Sequence, residues 1–293
     1  MADTETPAPA HVAGQGSPLV LLHGLGGTWE IWKPVLAALE AKHRVIALTL
    51  PGHHGGPEYA GSGQASVAGL ADQLVAMLRA QGVERPHVAG NSLGGWLAVE
   101  LARRGFARSV TALSPAGAWR SDADYRAIAT PFRIFYAIVG LILFLVRPFA
   151  GSAWLRKTLL RQTMQHGERL SAGEFLGMLR AMAKTPILRP LLGTMGRDGP
   201  VAPLEAGAVP IRIAWGGADQ VIPFPKYGQP FVERVRGSQA TTVVGVGHVP
   251  MFDDPAQVAA TILEVTGRAD AAGQVDPVDL DESAEPAGAK QRA

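Results

Sequence analysis

The sequence predicts an α/β fold, a doubly wound and mostly parallel sheet interrupted once by an inserted helical segment. Three observations carry that expectation. Short β-like apolar runs alternate with helix-like segments, an order that places strands side by side in parallel with helices on both faces. The stretch Gly-Asn-Ser-Leu-Gly-Gly, residues 90–95, lies between one such run and a helical run. Residues 119–200 break the alternation with a helical pattern rich in arginine and large apolar residues.

In chain order, Leu19–Leu22 is followed by a helical stretch, Trp29–Glu40, and Arg44–Leu48 by Val67–Ala80. His87–Ala89 leads to Leu93–Arg104, and Val110–Leu113 ends at Ser114-Pro115-Ala116-Gly117. After the interruption come Ile211–Trp215, a helix near Lys226–Arg236, Thr241–Val244 and a last helix, Ala256–Thr266. The 293 residues, 47% of them hydrophobic, can fill a sizeable core and suit one large domain with an insertion better than two domains. The chain divides into a flexible N-terminus, 1–16, a core of 17–118 and 201–266, the insertion 119–200, and a disordered acidic tail, 267–293, of Ala, Gly, Pro and acids.

The formal net charge is +2, so the overall balance does not call for nucleic acid. Cysteine is absent, which excludes disulfides, thiolate catalysis and thiolate zinc sites. The start is acidic and Pro-rich, unlike a secretory leader, and the expectation is a soluble, cytoplasmic protein with some association with membranes. The insertion carries twelve bases against five acids, net +7, and is punctuated at Pro131, Pro148, Pro186 and Pro190. It leaves one strand's C-terminal end and returns before the next, which places it over the site end of the sheet. Its longest uncharged run, Ile134–Val146, is 13 residues between Arg133 and Arg147, short of the ~18 that argue for a span. Apolar on every face, such a helix is buried all round or meets lipid. Packing between insertion and core is the expectation; a face that lines a pocket and touches membrane is the alternative.

The Gly90–Gly94 pentapeptide, Gly-x-Ser-x-Gly between strand and helix, has the form of a nucleophile elbow, with Ser92 projecting from the top of the sheet. A serine hydroxyl is a weak nucleophile until a base takes its proton. Histidine, with an ordinary pKa of about 6.5, suits that exchange, and a carboxylate fixes its tautomer. Asp219, in Gly216-Gly217-Ala218-Asp219, follows one predicted strand, and His248, in Gly247-His248-Val249-Pro250, follows the last. The order Ser92, Asp219, His248 is that of a hydrolase triad, each residue from a strand's C-terminal end. His23-Gly24-Leu25-Gly26-Gly27 follows the first strand, so backbone N–H groups of Leu25 and Leu93 become the expected oxyanion hole.

Competing readings are bland. Ser62 sits in a flexible Gly-Ser-Gly loop, and Ser114 lacks flanking glycines. Asp253 and Asp254 precede Pro255, where N-capping explains them. His23 reads as a support for its loop. His53 and His54 lack a third ligand at familiar spacing, so no metal and no cofactor is expected.

On the His23–Gly27 loop, the Gly90–Gly94 elbow, Gly217-Ala218-Asp219 and Gly247-His248, the chain resembles the α/β-hydrolase superfamily over roughly 17–118 and 205–266. The resemblance implies a lid for 119–200 and a triad of Ser92, Asp219 and His248. Many members carry Asp before Pro-Gly-His, a structural position where this chain reads Thr49-Leu50-Pro51-Gly52-His53-His54. A serine nucleophile sets the chain apart from the haloalkane-dehalogenase and epoxide-hydrolase branches. The expected activity is cleavage of a small-molecule or lipid-like carboxylic ester with an apolar acyl group, through an acyl-enzyme. Alternatives on the same triad are a C–C hydrolase, which the elbow also resembles, a thioesterase, a perhydrolase and an acyltransferase. A hydrophobic-ligand-binding protein without turnover is the alternative of another class.

Overall fold

The computed structural model describes residues 8–207 and 209–273. Its main sheet has seven strands: β1 (Ala10–Ala13), β2 (Pro18–Leu22), β3 (Arg44–Leu48), β4 (His87–Asn91), β5 (Ser109–Leu113), β7 (Ile211–Gly216) and β9 (Gln239–Val243). Their order is β1-β3-β2-β4-β5-β7-β9, parallel throughout apart from β1, which runs antiparallel to β3. The two-residue strands β6 (Leu204–Glu205) and β8 (Val235–Arg236) pair separately. The α/β, doubly wound sheet read from the alternating runs is therefore the fold.

Strand alternation sorts the core into two layers. Val20, Leu22, Ile46, Leu48, Val88 and Val110 face α2 (Val67–Ala80) and α3 (Leu93–Arg103). Leu19, Leu21, Val45, Ala47 and Ala89 face α1 (Lys33–Glu40) and α9 (Pro255–Gly273). Between β5 and β6 the chain forms α4 (Asp122–Val146), α5 (Ala153–Leu160), α6 (Ala172–Ala183) and α7 (Leu188–Asp198). Helix α6 begins with a capping box, Ser171 and Glu174 each satisfying the other's backbone N–H.

Four expectations need correction. The segment 1–16 is not flexible throughout: residues 10–13 form β1, because the outer edge of β3 offers backbone partners from Val45 to Leu48. There His11 stacks on Trp29 and bonds Glu40 at 2.7 Å. Nor does irregular chain begin at 267, since α9 continues to Gly273 with Ala269 buried and Asp270 bonded to Ser17 and His87; the rest of the expected tail, 274–293, lies outside the described residues. The helix expected near Lys226–Arg236 is a π-turn, Phe224–Gly228, followed by α8 (Gln229–Arg234), and the chain then enters β8.

The fourth correction concerns Ile134–Val146, which is not buried all round. Helix α4 packs on α6 and α7 along one side only, burying Val139 fully. The other side carries Ile134 at 58% exposure, Leu141 at 61% and Phe144 at 75%. No element of the sheet reaches that side, so the continuous hydrophobicity serves two different surroundings.

Candidate active site

Ser92 connects β4 to α3 with φ 54° and ψ −115°, a left-handed conformation that non-glycine residues adopt only under constraint. The constraint is packing without side chains. A Cβ on Gly90 would lie 2.1 Å from the Gly94 carbonyl oxygen, and one on Gly94 would lie 2.1 Å from that of Leu22. Glycine at both places lets α3 start directly against the sheet. The Ser92 backbone is held by its N–H donating to Leu113 O at 3.0 Å and by its carbonyl accepting from Ala116 N at 3.0 Å.

Asp219 leaves the C-terminal end of β7. Its Oδ1 accepts from the backbone N–H groups of Val221 and Ile222, both at 2.9 Å, and its Oδ2 lies 2.7 Å from His248 Nδ1. Both side chains are buried. With Nδ1 engaged, Nε2 is the imidazole atom left for the cavity that Ser92, Leu25, Leu93 and His248 line together. Leu93 is the first residue of α3, where a backbone N–H has no intrahelical acceptor. The Leu25 loop passes close to the elbow: a Cβ on Gly24 would stand 3.2 Å from Ser92 Cβ. The structure thus brings Ser92, His248, Leu25 and Leu93 to one cavity, with Asp219 behind His248 and bonded to it.

The remaining lining is apolar or aromatic: Trp119, Tyr125, Ile128, Phe132, Met195, Val221 and Ile222 among others. Tyr125, Ile128 and Phe132 belong to α4, so the insertion walls the cavity. The arrangement can attack an electrophilic carbon from Ser92, move a proton at His248 Nε2 and receive negative charge at two backbone N–H groups.

The competing residues have other tasks. Ser114 Oγ accepts from Gly216 N at 3.1 Å and ties β5 to β7. His23 Nε2 accepts from Leu50 N at 2.9 Å, which leaves Nδ1–H to donate to Gly24 O at 2.7 Å and brace the Leu25 loop. Burial and neighbouring His53 hold His23 well below the usual imidazole range, and burial takes His53 to about 4. Asp254 caps α9, accepting from Gln257 N at 2.9 Å, as expected of it. Asp253 does not cap. Its carboxylate accepts from Gly247 N (2.7 Å), His166 N (2.7 Å) and Gln165 N (3.0 Å), clamping the loop before His248 to the insertion.

Sequence reasoning passed over Asp253's role and that of Asn91. The buried Asn91 amide donates to His248 O at 2.8 Å and to Leu113 O at 3.2 Å, joining the elbow to the histidine loop. Position x in Gly-x-Ser-x-Gly was the only signal available. Among the described residues one further cluster has metal-ligand chemistry, His43, His87 and Asp270 at the opposite end of the sheet. Its donor atoms already serve Ser17, Ser109, Thr266 and one another at 2.8–3.0 Å. A hydrogen-bonded tie accounts for it.

Comparison with known proteins bears on the fold and the family. The chain is 34% identical over 205 residues to the epoxide hydrolase EphH of Mycobacterium tuberculosis, covering 67% of this chain and 93% of that protein. Among solved structures, a thermophilic esterase from Thermogutta terrifontis superposes with TM-score 0.66 at 19% identity, over 89% of this chain and 93% of that one. The enol-lactonase from Burkholderia xenovorans LB400 gives 0.67 at 18%, over 88% and 95%. At those identities the structures speak for the fold alone. Residues 19–261, which span both halves of the sheet and every residue around the cavity, match the model of the alpha/beta hydrolase family, and the chain belongs to that family.

Proposed function

We propose that the chain is a serine hydrolase that cleaves carboxylic esters with an apolar acyl group. The observation that carries this reading is Ser92, held at positive φ on the cavity wall beside a His248–Asp219 pair bonded at 2.7 Å. His248 takes the Ser92 proton as Oγ adds to the ester carbonyl, and the oxyanion meets the N–H groups of Leu25 and Leu93. Each such donor contributes roughly 2.7–4 kcal/mol towards the transition state. Collapse expels the alcohol, which receives the proton from His248, and leaves an acyl-Ser92 ester. Water, deprotonated by His248, then releases the acid. Asp219 keeps Nδ1 protonated and balances the imidazolium. Helices α4–α7 act as the lid, with the aromatic side of α4 as acyl wall.

The relative named as an epoxide hydrolase makes epoxide opening the second reading. Chemistry disfavours it at Ser92. An alkoxide that opens an epoxide forms an alkyl ether, which water does not cleave, whereas a carboxylate nucleophile forms a hydrolysable ester. With acyl groups, serine forms the hydrolysable ester itself.

A fluorophosphonate probe tests the nucleophile. The expected result is a stoichiometric adduct at Ser92 that is absent in Ser92→Ala, together with turnover of 4-nitrophenyl esters that improves from acetyl to longer acyl chains. Folded protein that neither labels nor turns over any ester would leave the ligand-binding reading. Epoxide hydrolysis retained in Ser92→Ala would overturn the assignment of the nucleophile.

A further inference from the structure

The long helix that walls the cavity has a second face that no part of the described protein covers. Ile134, Ile138, Leu141 and Leu145 form an outward stripe on α4, continued by Phe144, Phe149 and, on α5, Trp154 at 73% exposure. The spacing of four, three and four residues keeps the stripe on one side of the helix. On α4, Arg126 and Arg133 lie about a quarter-turn from the stripe, Arg133 also donating to Leu192 O at 3.3 Å, and Arg147 follows at the helix end. Of the six Arg or Lys residues from 125 to 167, Arg156 is buried and Lys157 lies 3.8 Å from Glu168, while Arg126, Arg133, Arg147 and Arg161 are exposed, with no Asp or Glu in the stretch. Both features point to the same kind of partner, one that is apolar inside and negative at its surface. We propose that this face seats the protein on an anionic lipid bilayer, α4 lying in the plane of the interface with its apolar stripe among the acyl chains and its arginines among the headgroups.

Two other occupants fit less well. Asp122–Phe149, 28 residues, is long enough to span a bilayer and holds an 18-residue window of mean hydropathy 2.1. Its inner side is nevertheless committed to the fold: Tyr125, Ala129 and Val139 are buried, and the Tyr136 hydroxyl donates to Thr185 O at 3.2 Å. Crossing a membrane would strip away a wall of the active-site cavity; lying on one leaves it intact. A second copy of the chain would bring one basic rim against another, without acids in the segment to offset the repulsion. The seat places Tyr125, Ile128 and Phe132, which line the cavity, on the same helix as the lipid-facing stripe. An apolar substrate dissolved in the bilayer would then meet the lid directly.

Flotation of the full chain with vesicles tests the proposal without reference to turnover. Wild-type protein is expected to float with phosphatidylcholine–phosphatidylglycerol vesicles, weakly with phosphatidylcholine alone, and less as salt rises. Leu141→Ser, Phe144→Ser and Leu145→Ser together should lower partition roughly 100-fold while leaving hydrolysis of a short, water-soluble ester unchanged. Arg126→Gln with Arg147→Gln should lower binding to the anionic vesicles roughly tenfold and spare the neutral ones. Three results would overturn it. One is wild-type protein that remains unbound with both vesicle types. Another is a stable dimer in solution that the triple serine variant dissociates, which would give the face to a second copy. The last is vesicle binding that the triple serine variant leaves unchanged.

Discussion

Removing the Asp253 carboxylate should injure the protein in two measurable ways. In Asp253→Ala three backbone donors lose their acceptor, those of Gln165, His166 and Gly247. The Gly247 bond is buried, and an unsatisfied buried donor costs about 2 kcal/mol. The other two are partly open to water, which replaces the carboxylate at about 0.5–1 kcal/mol each. The expected loss is about 3–4 kcal/mol, a fall in Tm of roughly 10 °C for a domain of this size. Urea unfolding followed by tryptophan fluorescence measures it. Gly247 precedes His248, so the variant should also react with a fluorophosphonate roughly tenfold more slowly at temperatures where it is fully folded, as the imidazole loses its fixed approach to Ser92. Arg169, which donates to the backbone carbonyl of Asp253, keeps its partner and isolates the carboxylate's share. A variant within 1 kcal/mol of wild type by either urea or heat would refute the clamp.

Other outcomes follow from the site and its supports. Asp219→Asn retains an acceptor for Val221 and Ile222 but aims an amide N–H at His248 Nδ1, favouring the wrong tautomer; ester kcat should fall roughly 10³–10⁴-fold with Tm little changed, and a loss below tenfold would remove Asp219 from the proposed mechanism. Ser92→Gly should abolish turnover and raise stability by about 1 kcal/mol, because glycine accepts φ 54° without strain; calorimetry showing a lower Tm would contradict the strain argument. Burial lowers His53 to about 4, so below the unfolded value of about 6.5 the unfolded chain binds a proton that the folded chain refuses. That contribution is fully present above pH 6.5 and is lost as pH falls towards 4, by about 3 kcal/mol from His53, with His23 acting in the same direction. Urea midpoints that stay level from pH 7 to pH 5 would show that these imidazoles gain protons without unfolding the chain.

The parts of the fold that sequence made legible are those with local causes. Runs such as Leu19–Leu22 and Arg44–Leu48 are apolar enough to lie between two helical layers, and glycines mark where Ser92, Asp219 and His248 leave their strands. What stayed hidden depends on partners remote in sequence. Residues 10–13 follow an acidic, Pro-rich start and carry no strand signal of their own until the edge of β3 is there to receive them. Asp253 beside Pro255 reads as a cap because nothing nearby foretells that the chain near His166 will return to it. His87 and Asp270 meet across 183 positions. Ile134–Val146, a run apolar on every face, likewise gave no sign of which side would find a neighbour, because α6 and α7 cover one and leave the other.

The tie at the far end of the sheet has a consequence for how the chain is made. Asp270 reaches Ser17 and His87, and His43 reaches Thr266, so α9 fastens the beginnings of strands assembled from the first third of the sequence. The same helix covers Leu19, Leu21, Val45 and Ala47 through Val258 and Ile262. Emerging from the ribosome after every other element described, it leaves that side of the central strands covered only in part, by α1, until translation has passed residue 270. A chain that ends before α9 therefore exposes apolar strand surface, the kind of surface that promotes aggregation and proteolysis, and should be cleared before it can act on a substrate.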